Sequence, residues 1–394
     1  MDNKNFAEFF AGIGLVRAGL ESSGWKCVYA NDIDQKKHEM YQHRFGKSKH
    51  YHVEDIWNTP SVYSEIKNDI SLATASFPCV DLSLAGNRKG LKGKQSGSFH
   101  GFLKVLTKLR SCQKEPNILL IENVMGFLTA NNGNDFDFAC TELSKLGYWI
   151  DCISVDAKFF TPQSRPRIFL IACKKDCIPQ EATTYQPNNL LSRWIQIVES
   201  QPHVRSKKII QSLISLKLKT GVFSFELPDF PDEKHDIGRL LDPIRGEWWD
   251  SEKVDKHLNE MSEAHKQRIE TLSASKTTTL GTMYRRVRNG KSRTEIRTDG
   301  LAGCLRTPRG GSSKQMVFAA GGNKIKMRWM LPVEYAALQG APDFPINVGT
   351  TQALFGFGDA VCVPAIEWIG RHYLEVVLAA HKKEKKEKKT LEIA

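Results

Sequence analysis

Ile70-Ser71-Leu72-Ala73-Thr74-Ala75-Ser76-Phe77-Pro78-Cys79 is the stretch on which the reading of this chain turns. An apolar run of strand length ends on a proline and a thiol, and a Gly- and Lys-rich loop follows from Ala85 to Ser98. A strand that stops in this way presents its last side chain at its carboxyl end, where open α/β sheets hold ligands and do chemistry. A second apolar run, Ile118-Leu119-Leu120-Ile121, stops on Glu122-Asn123-Val124 and brings a carboxylate to the same edge. A third run, Ile168 to Ala172, is preceded by Gln163-Ser164-Arg165-Pro166-Arg167. Thiol, carboxylate and two fixed cations suit attack on an electron-poor ring.

Outward from these points, residues 6–173 alternate short β-like runs with helical periodicity. Strands are expected at Asn5 to Phe10, Lys26 to Ala30, His50 to Val53, Ile70 to Phe77, Ile118 to Ile121, Trp149 to Val155 and Ile168 to Ala172. Helices are expected at Gly14 to Ser22, Gln35 to Arg44, Phe99 to Leu109 and Phe136 to Leu146. The pattern predicts an α/β unit with a Rossmann-like doubly wound sheet over residues 1–175. From 176 to 325 the alternation gives way to scattered Pro, Gly and charge, which predicts a second, smaller, irregular domain. Helical spacing returns at Pro332 to Gln339 and Ala365 to Ala380, so residues 326–380 are expected to pack back on the first domain. The Lys/Glu tail, residues 381–394, has little to bury and is expected to be disordered.

The 394 residues are 41% hydrophobic and 25% charged, ordinary for a globular protein and enough for two cores. The formal charge of +12 is unevenly spread. Between Tyr284 and Lys314, nine basic residues (Arg285, Arg286, Arg288, Lys291, Arg293, Arg297, Arg306, Arg309, Lys314) face two acids, Glu295 and Asp299. Such a stretch is either a solvated face or a nucleic-acid contact. The nine cysteines are odd in number and scattered, many in apolar strings such as Leu301-Ala302-Gly303-Cys304-Leu305, and read as reduced thiols of a cytoplasmic protein. Cys173 and Cys177 lack a second pair at zinc-like spacing, so no metal is expected. Met1 to Asn5 leads directly into a strand and no uninterrupted apolar stretch of spanning length is seen; neither export nor membrane insertion is expected.

In order and context, Phe10-Ala11-Gly12-Ile13-Gly14, Pro78-Cys79, Glu122-Asn123-Val124 and Gln163-x-Arg165-x-Arg167 resemble the DNA (cytosine-5) methyltransferase family. The resemblance resumes at Arg328-Trp329-Met330-Leu331-Pro332-Val333-Glu334-Tyr335-Ala336-Ala337-Leu338-Gln339-Gly340. It closes at Phe357-Gly358-Asp359-Ala360-Val361-Cys362-Val363-Pro364, so nearly the whole chain is covered. It implies a class I methyltransferase sheet, a target-recognition domain over 176–325, S-adenosylmethionine as cofactor and duplex DNA as partner. Resemblance to compact members of the family implies a bacterial or phage restriction-modification setting, which allows a cognate restriction endonuclease on the same sequence. A monomer is the default.

A cytosine is not nucleophilic at carbon 5, so methyl transfer needs prior thiolate addition at carbon 6, for which Cys79 is the candidate. A free cysteine is most often a core residue, but Pro78 before it and Asp81, Ser83, Gly86, Asn87, Arg88 and Lys89 after it are poor company for a core. Glu122 would donate to ring nitrogen 3; a structural ion pair with a nearby arginine is the alternative. Arg167 would hold the ring carbonyl and Arg165 would orient its neighbours, although one of the two could be purely structural. Gly12 and Gly14, opening a helix after a strand, would let backbone approach an adenosine, with Phe10 and Ile13 beside them. The family's ribose-binding acid falls on Asp32, with Asp34 a rival and a helix cap the alternative role for either. By resemblance alone, Ile33, Asp55 and Ile56 would flank the adenine, and Pro78, Asp359, Ala360 and Val361 would complete the cofactor site.

The loop from Ala85 to Ser98, with Arg88 and Lys89, suits a lid over DNA, and the target cytosine must leave the stack to be reached. Readers of the flanking bases are expected between Thr277 and Gln315, with Arg285, Arg286, Arg288, Arg306 and Arg309 as DNA contacts. Trp248 and Trp249 read as core. Two departures stand out: Val80 follows Cys79 where the family often has glutamine, and Asp359 replaces the usual asparagine. An RNA cytosine methyltransferase would share the catalytic set. A silent DNA-binding regulator is disfavoured by the presence of Cys79, Glu122, Arg165 and Arg167 together, and a nicotinamide oxidoreductase by the lack of any hydride logic.

Overall fold

A computed structural model describes residues 3–78, 97–186, 192–242, 244–288, 290–308 and 313–393. The first half runs β1 (Asn5–Phe9), α1 (Leu15–Glu21), β2 (Lys26–Asp32), α2 (Gln35–Phe45), β3 (Tyr51–Val53), α3 (Thr59–Glu65), β4 (Leu72–Ala75), α4 (Ser98–Ser111), β5 (Ile118–Val124), α5 (Asn134–Lys145), β6 (Trp149–Asp156) and β7 (Pro166–Cys173). Next come β8 (Thr183–Tyr185), α6 (Ser192–Glu199), α7 (Lys207–Ile214), β9 (Val222–Ser224) and α8 (Ile237–Leu240). The large sheet has the order β3-β2-β1-β4-β5-β7-β6-β9-β8.

Strands β1 to β5 are parallel. Alternate residues face opposite layers, as the strand period requires. Phe6, Leu72, Ile118 and Leu120 pack with α1 and α2, whereas Phe9, Ala73, Ala75, Leu119 and Ile121 pack with α3, α4 and α5. Both faces are covered, which is why β4 and β5 read as continuous apolar runs. Strand β7 runs antiparallel to β5 and β6. That reversal explains why the polar residues preceding the third apolar run, and not those following it, meet the end of β5: Val124 pairs with Arg167.

The expectation of an irregular segment throughout 176–325 is not what is seen. β8 and β9 extend the large sheet, and Phe223, Phe225, Leu227, Ile237 and Leu241 join its core. Beyond them α9 (Ser251–Asn259), α10 (Glu263–Ser273), β10 (Thr279–Arg288), β11 (Lys291–Arg297), β12 (Met316–Gly321) and β13 (Lys324–Trp329) form a separate unit. Its antiparallel sheet, ordered β11-β10-β12-β13, packs Met283, Ile296, Met316, Phe318 and Met327 against Val254, Met261 and Ile269. Trp249 belongs to this core, stacked on His257 with ring centres 5.0 Å apart.

The chain then returns through α11 (Pro332–Leu338), α12 (Thr350–Asp359), α13 (Val363–Ile369), a π-helical turn at Gly370–Leu374 and α14 (Glu375–Ile393). α14 carries helix through the tail expected to be disordered, in line with the helix propensity of Lys and Glu. Thr350–Glu384 is long and apolar enough to cross a membrane by length and composition, although Asp359, Glu367, Arg371 and Glu375 interrupt it. Its apolar side chains Leu354, Phe357, Ile366, Ile369, Tyr373, Leu374 and Leu378 are nevertheless buried in the α/β core.

Candidate active site

Glu122 and Arg167 meet at the carboxyl end of β5. Arg167 Nε is 3.0 Å from Glu122 Oε1, and both side chains are largely buried. The ion pair that sequence reading leaves as the structural alternative for Glu122 is thus present. Burial pushes the Glu122 carboxyl above the usual carboxylate value, while Arg167, Arg165 and the Ser76 hydroxyl pull it down; burial wins. Asn123 donates from Nδ2 to Phe77 O at 3.2 Å and so fixes the segment leading into Pro78 beside Glu122. Cys79 and residues 80–96, including Arg88, Lys89 and most of the expected lid, lie outside the described residues.

Arg165 and Arg167 separate clearly. Arg165 is 3% exposed and donates to three backbone carbonyls: Leu305 O at 2.7 Å, Gly358 O at 3.1 Å and Ala360 O at 2.6 Å. It ties the segment between β11 and β12 to the turn after α12. Arg167 points to Glu122 and to Cys304 Sγ, 3.8 Å from Nη2. Cys304, which reads in sequence as a reduced thiol in an apolar string, is half-buried between the two guanidiniums. Burial acts to raise its pKa, but Arg167 and Arg165 outweigh burial and the net shift is downward.

A second cluster forms at the ends of β1 and β2. Phe10 and Gly12 both have left-handed backbone, with φ of 58° and 55°. A Cβ at Gly12 would meet little besides Lys37 Cδ at 3.9 Å, so its face is open. At Gly14 a Cβ would lie 2.6 Å from ring atoms of Phe45 and Tyr41, so that glycine serves helix packing. Asp32 Oδ2 accepts from Gly12 N at 2.9 Å and its Oδ1 from Asp34 N at 3.0 Å. Asp34 caps α2 by accepting from Lys36 N and Lys37 N, which distinguishes the rival acids by role. Ile33 is 67% exposed beside them, whereas Ile13 and Ile56 are buried in the core. Asp55 is exposed and accepts from Trp57 N. Asp359 pairs with Lys37 at 2.8 Å, Ala360 supplies the carbonyl to Arg165, and Val361 is buried.

The basic stretch forms the β10–β11 hairpin. The register sets Arg286 opposite Arg293, Tyr284 opposite Glu295 and Arg285 opposite Thr294. Arg286 is exposed, its guanidinium 4.8 Å from the Tyr284 ring centre, while Arg285 on the other face is half-buried. Arg306 is exposed. Arg309 and the side chain of Arg288 lie outside the described residues. A two-stranded ribbon with cations on one face has dimensions that a DNA major groove admits.

Residues 4–375 match the family model of C-5 cytosine-specific DNA methylase. The chain belongs to that family. It is an enzyme, a DNA cytosine-5 methyltransferase. The methylase is similar to the type II methyltransferase M.HhaI of Haemophilus parahaemolyticus, 25% identical over 369 residues and 92% of each chain. It is also similar to the type II methyltransferase M.HpaII of Haemophilus parainfluenzae, 24% identical over 94% of this chain and 89% of that one. The solved structure of the Entamoeba histolytica methyltransferase EhMeth shares the fold, with a TM-score of 0.61 at 15% identity over 96% of this chain and 99% of that one.

Two side chains of the methylase escape sequence reading. Cys304 sits in an apolar string, and Lys37 lies in a helix rich in charge, so neither carries a local signal. Gln163 spans the two halves: its Nε2 donates to Leu338 O at 2.9 Å and its Oε1 accepts from Leu305 N at 3.1 Å. Among the described residues, Asp176, Cys177 and His381 bring metal-type ligand atoms within 4.8 Å of one another. His381 Nδ1 is 2.8 Å from Asp176 Oδ2 and Nε2 is 3.0 Å from Asn117 Nδ2, an arrangement that an ion pair and a hydrogen bond account for.

Proposed function

We propose that this methylase transfers a methyl group from S-adenosylmethionine to carbon 5 of a cytosine in a short duplex DNA sequence, with the base turned out of the helix and Cys79 adding to carbon 6. The observation that carries the reading is the Glu122–Arg167 pair at the end of β5, beside the segment that leads into Cys79. Glu122, held in a buried setting that favours its protonated form, hydrogen-bonds ring nitrogen 3 as the sulfur–carbon 6 bond forms. Arg167 faces the ring carbonyl oxygen. Carbon 5, made electron-rich by that addition, takes the methyl group; loss of its proton to a base and expulsion of Cys79 restore the aromatic ring and the free thiol.

The β1–β2 cluster fits an adenosine-bearing donor. Gly12 leaves an open face, Asp32 keeps acceptor capacity beyond its two backbone bonds for ribose hydroxyls, and Ile33 offers exposed apolar surface for a base. Phe10, Gly12, Asp32, Ile33 and Asp55 would hold the group, whose sulfonium supplies an electrophilic methyl. The β10–β11 ribbon and Arg306 would read and grip the DNA flanking the extruded base. This reading places the enzyme in the cytoplasm as a monomer, with an endonuclease of the same sequence as its functional counterpart.

Incubation with unmethylated plasmid and S-adenosylmethionine, followed by bisulfite sequencing, tests the proposal. Protected cytosines in one short repeated context are expected. Complete conversion of the plasmid, with methylation of transfer RNA instead, would replace DNA by RNA as the substrate.

A further inference from the structure

We propose that Cys304 is a positioning residue: it holds the Arg167 guanidinium beside Glu122 and couples that pair to the base-reading unit. The proposal rests on the methyl-transfer reading of the same site. Cys304 Sγ lies 3.4 Å from Arg165 Nη1 and 3.8 Å from Arg167 Nη2, and its thiol faces Leu305 O at 3.5 Å. One sulfur therefore stands between an arginine that braces three carbonyls and an arginine that touches the acid.

The backbone around Cys304 is joined to both sides. Ala302 N donates to Pro162 O at 2.7 Å and Ser164 N to Ala302 O at 3.0 Å, so the segment lies along the lead-in to β7. From the ribbon, Thr282 Oγ1 donates to Leu301 O at 3.2 Å and Arg297 Nη1 to Ala302 O at 3.3 Å. A shift of the ribbon on DNA reaches Cys304 through two hydrogen bonds and reaches Glu122 through one further side chain.

Sulfur suits the task. The C–S bond is longer than C–O and sulfur is a larger, softer acceptor, so one atom contacts two guanidiniums that a serine oxygen on the same Cα would not both reach. As a weak acceptor it steers Arg167 without displacing the carboxylate. Among the described residues, Arg167, Arg165 and Ser76 act on Glu122, and Arg167, Arg165 and Arg306 act on Cys304. Without the sulfur, Arg167 keeps its bond to Pro166 O at 2.9 Å but loses the contact that draws Nη2 away from Glu122, so the guanidinium settles closer to the carboxylate, which then gives up its proton at lower pH.

Steady-state kinetics of the full-length Cys304→Ala and Cys304→Ser enzymes on duplex DNA across the pH range test this. Cys304→Ala is expected to lower kcat about tenfold, leave the KM for the methyl donor unchanged and move the alkaline limb of the kcat profile down by about half a pH unit; Cys304→Ser should fall between it and the wild type. Wild-type kcat and an unmoved limb in both variants would overturn the proposal. If Cys304→Ala does not fold, as judged by donor binding, the serine variant decides: an intermediate limb supports the proposal and a wild-type profile overturns it. A wild-type enzyme that methylates no duplex DNA would instead defeat the methyl-transfer reading.

Discussion

Arg167 Nε lies 3.0 Å from Glu122 Oε1 across two antiparallel strands, and that contact places a buried acid and a cation at the one sheet edge where the segment leading to Cys79 also ends. Glu122→Gln keeps the shape and removes the proton donor. It is expected to lower kcat by about 10²- to 10⁴-fold, with donor affinity unchanged by calorimetry.

The two arginines should fail differently. Arg165→Leu removes the guanidinium from three backbone carbonyls, of which Ala360 O keeps Gln339 Nε2 at 3.1 Å, and should cost about 2–4 kcal/mol of stability, seen in denaturant unfolding. Arg167→Lys keeps a cation but loses the planar fork, so kcat should fall while the unfolding midpoint stays near wild type.

Much of this site is legible in the sequence because apolar strands stop abruptly on polar groups. Phe77-Pro78-Cys79 and Ile121-Glu122 announce a sheet edge, and β7 running backwards brings Arg167 there. The β10–β11 ribbon is not legible in the same way. One of its faces is solvated and basic, so few apolar residues mark its period, and Met283 and Ile296 stand nearly alone among charges. Cys304 escapes because its meaning comes from two arginines far away in the chain. Asp32 and Asp34 are separable through hydrogen-bond geometry, since either acid suits a helix start.

The two glycines of the first turn should also part company. Gly14→Ala drives a methyl group into Phe45 and Tyr41 and should destabilise the fold. Gly12→Ala meets open space but strains a left-handed residue and narrows the cradle, so donor affinity should fall more than stability. Calorimetry and thermal melts on both variants separate the effects.

Glu8, 1% exposed on β1, has its carboxyl pushed up by burial to about 8, with Arg17 pulling down and Glu21 and Asp32 adding to the rise. Because the folded value exceeds the unfolded one, this group's contribution is complete below the unfolded value and is lost as pH rises through about 8. Stability should therefore decline from mildly acidic to alkaline pH. Glu8→Gln should flatten that decline, by up to about 5 kcal/mol and by less to the extent that water reaches the carboxyl.

Arg286 on the ribbon is expected to touch phosphate or base. Arg286→Ala should weaken DNA binding and reduce the slope of log affinity against log salt by about one, with donor binding intact. An unchanged slope and affinity would remove this face from the DNA interface.

Covalent chemistry at Cys79 is tested most directly with a duplex that carries 5-fluorocytosine at the target position, incubated with enzyme and S-adenosylmethionine and analysed by intact-mass and peptide mass spectrometry. Fluorine does not leave carbon 5 as a proton does, so the account predicts a stable enzyme–DNA adduct on the peptide containing Cys79, absent in Cys79→Ser. Efficient methylation of the ordinary duplex with no adduct on the fluorinated one, or an adduct at another residue, would contradict it.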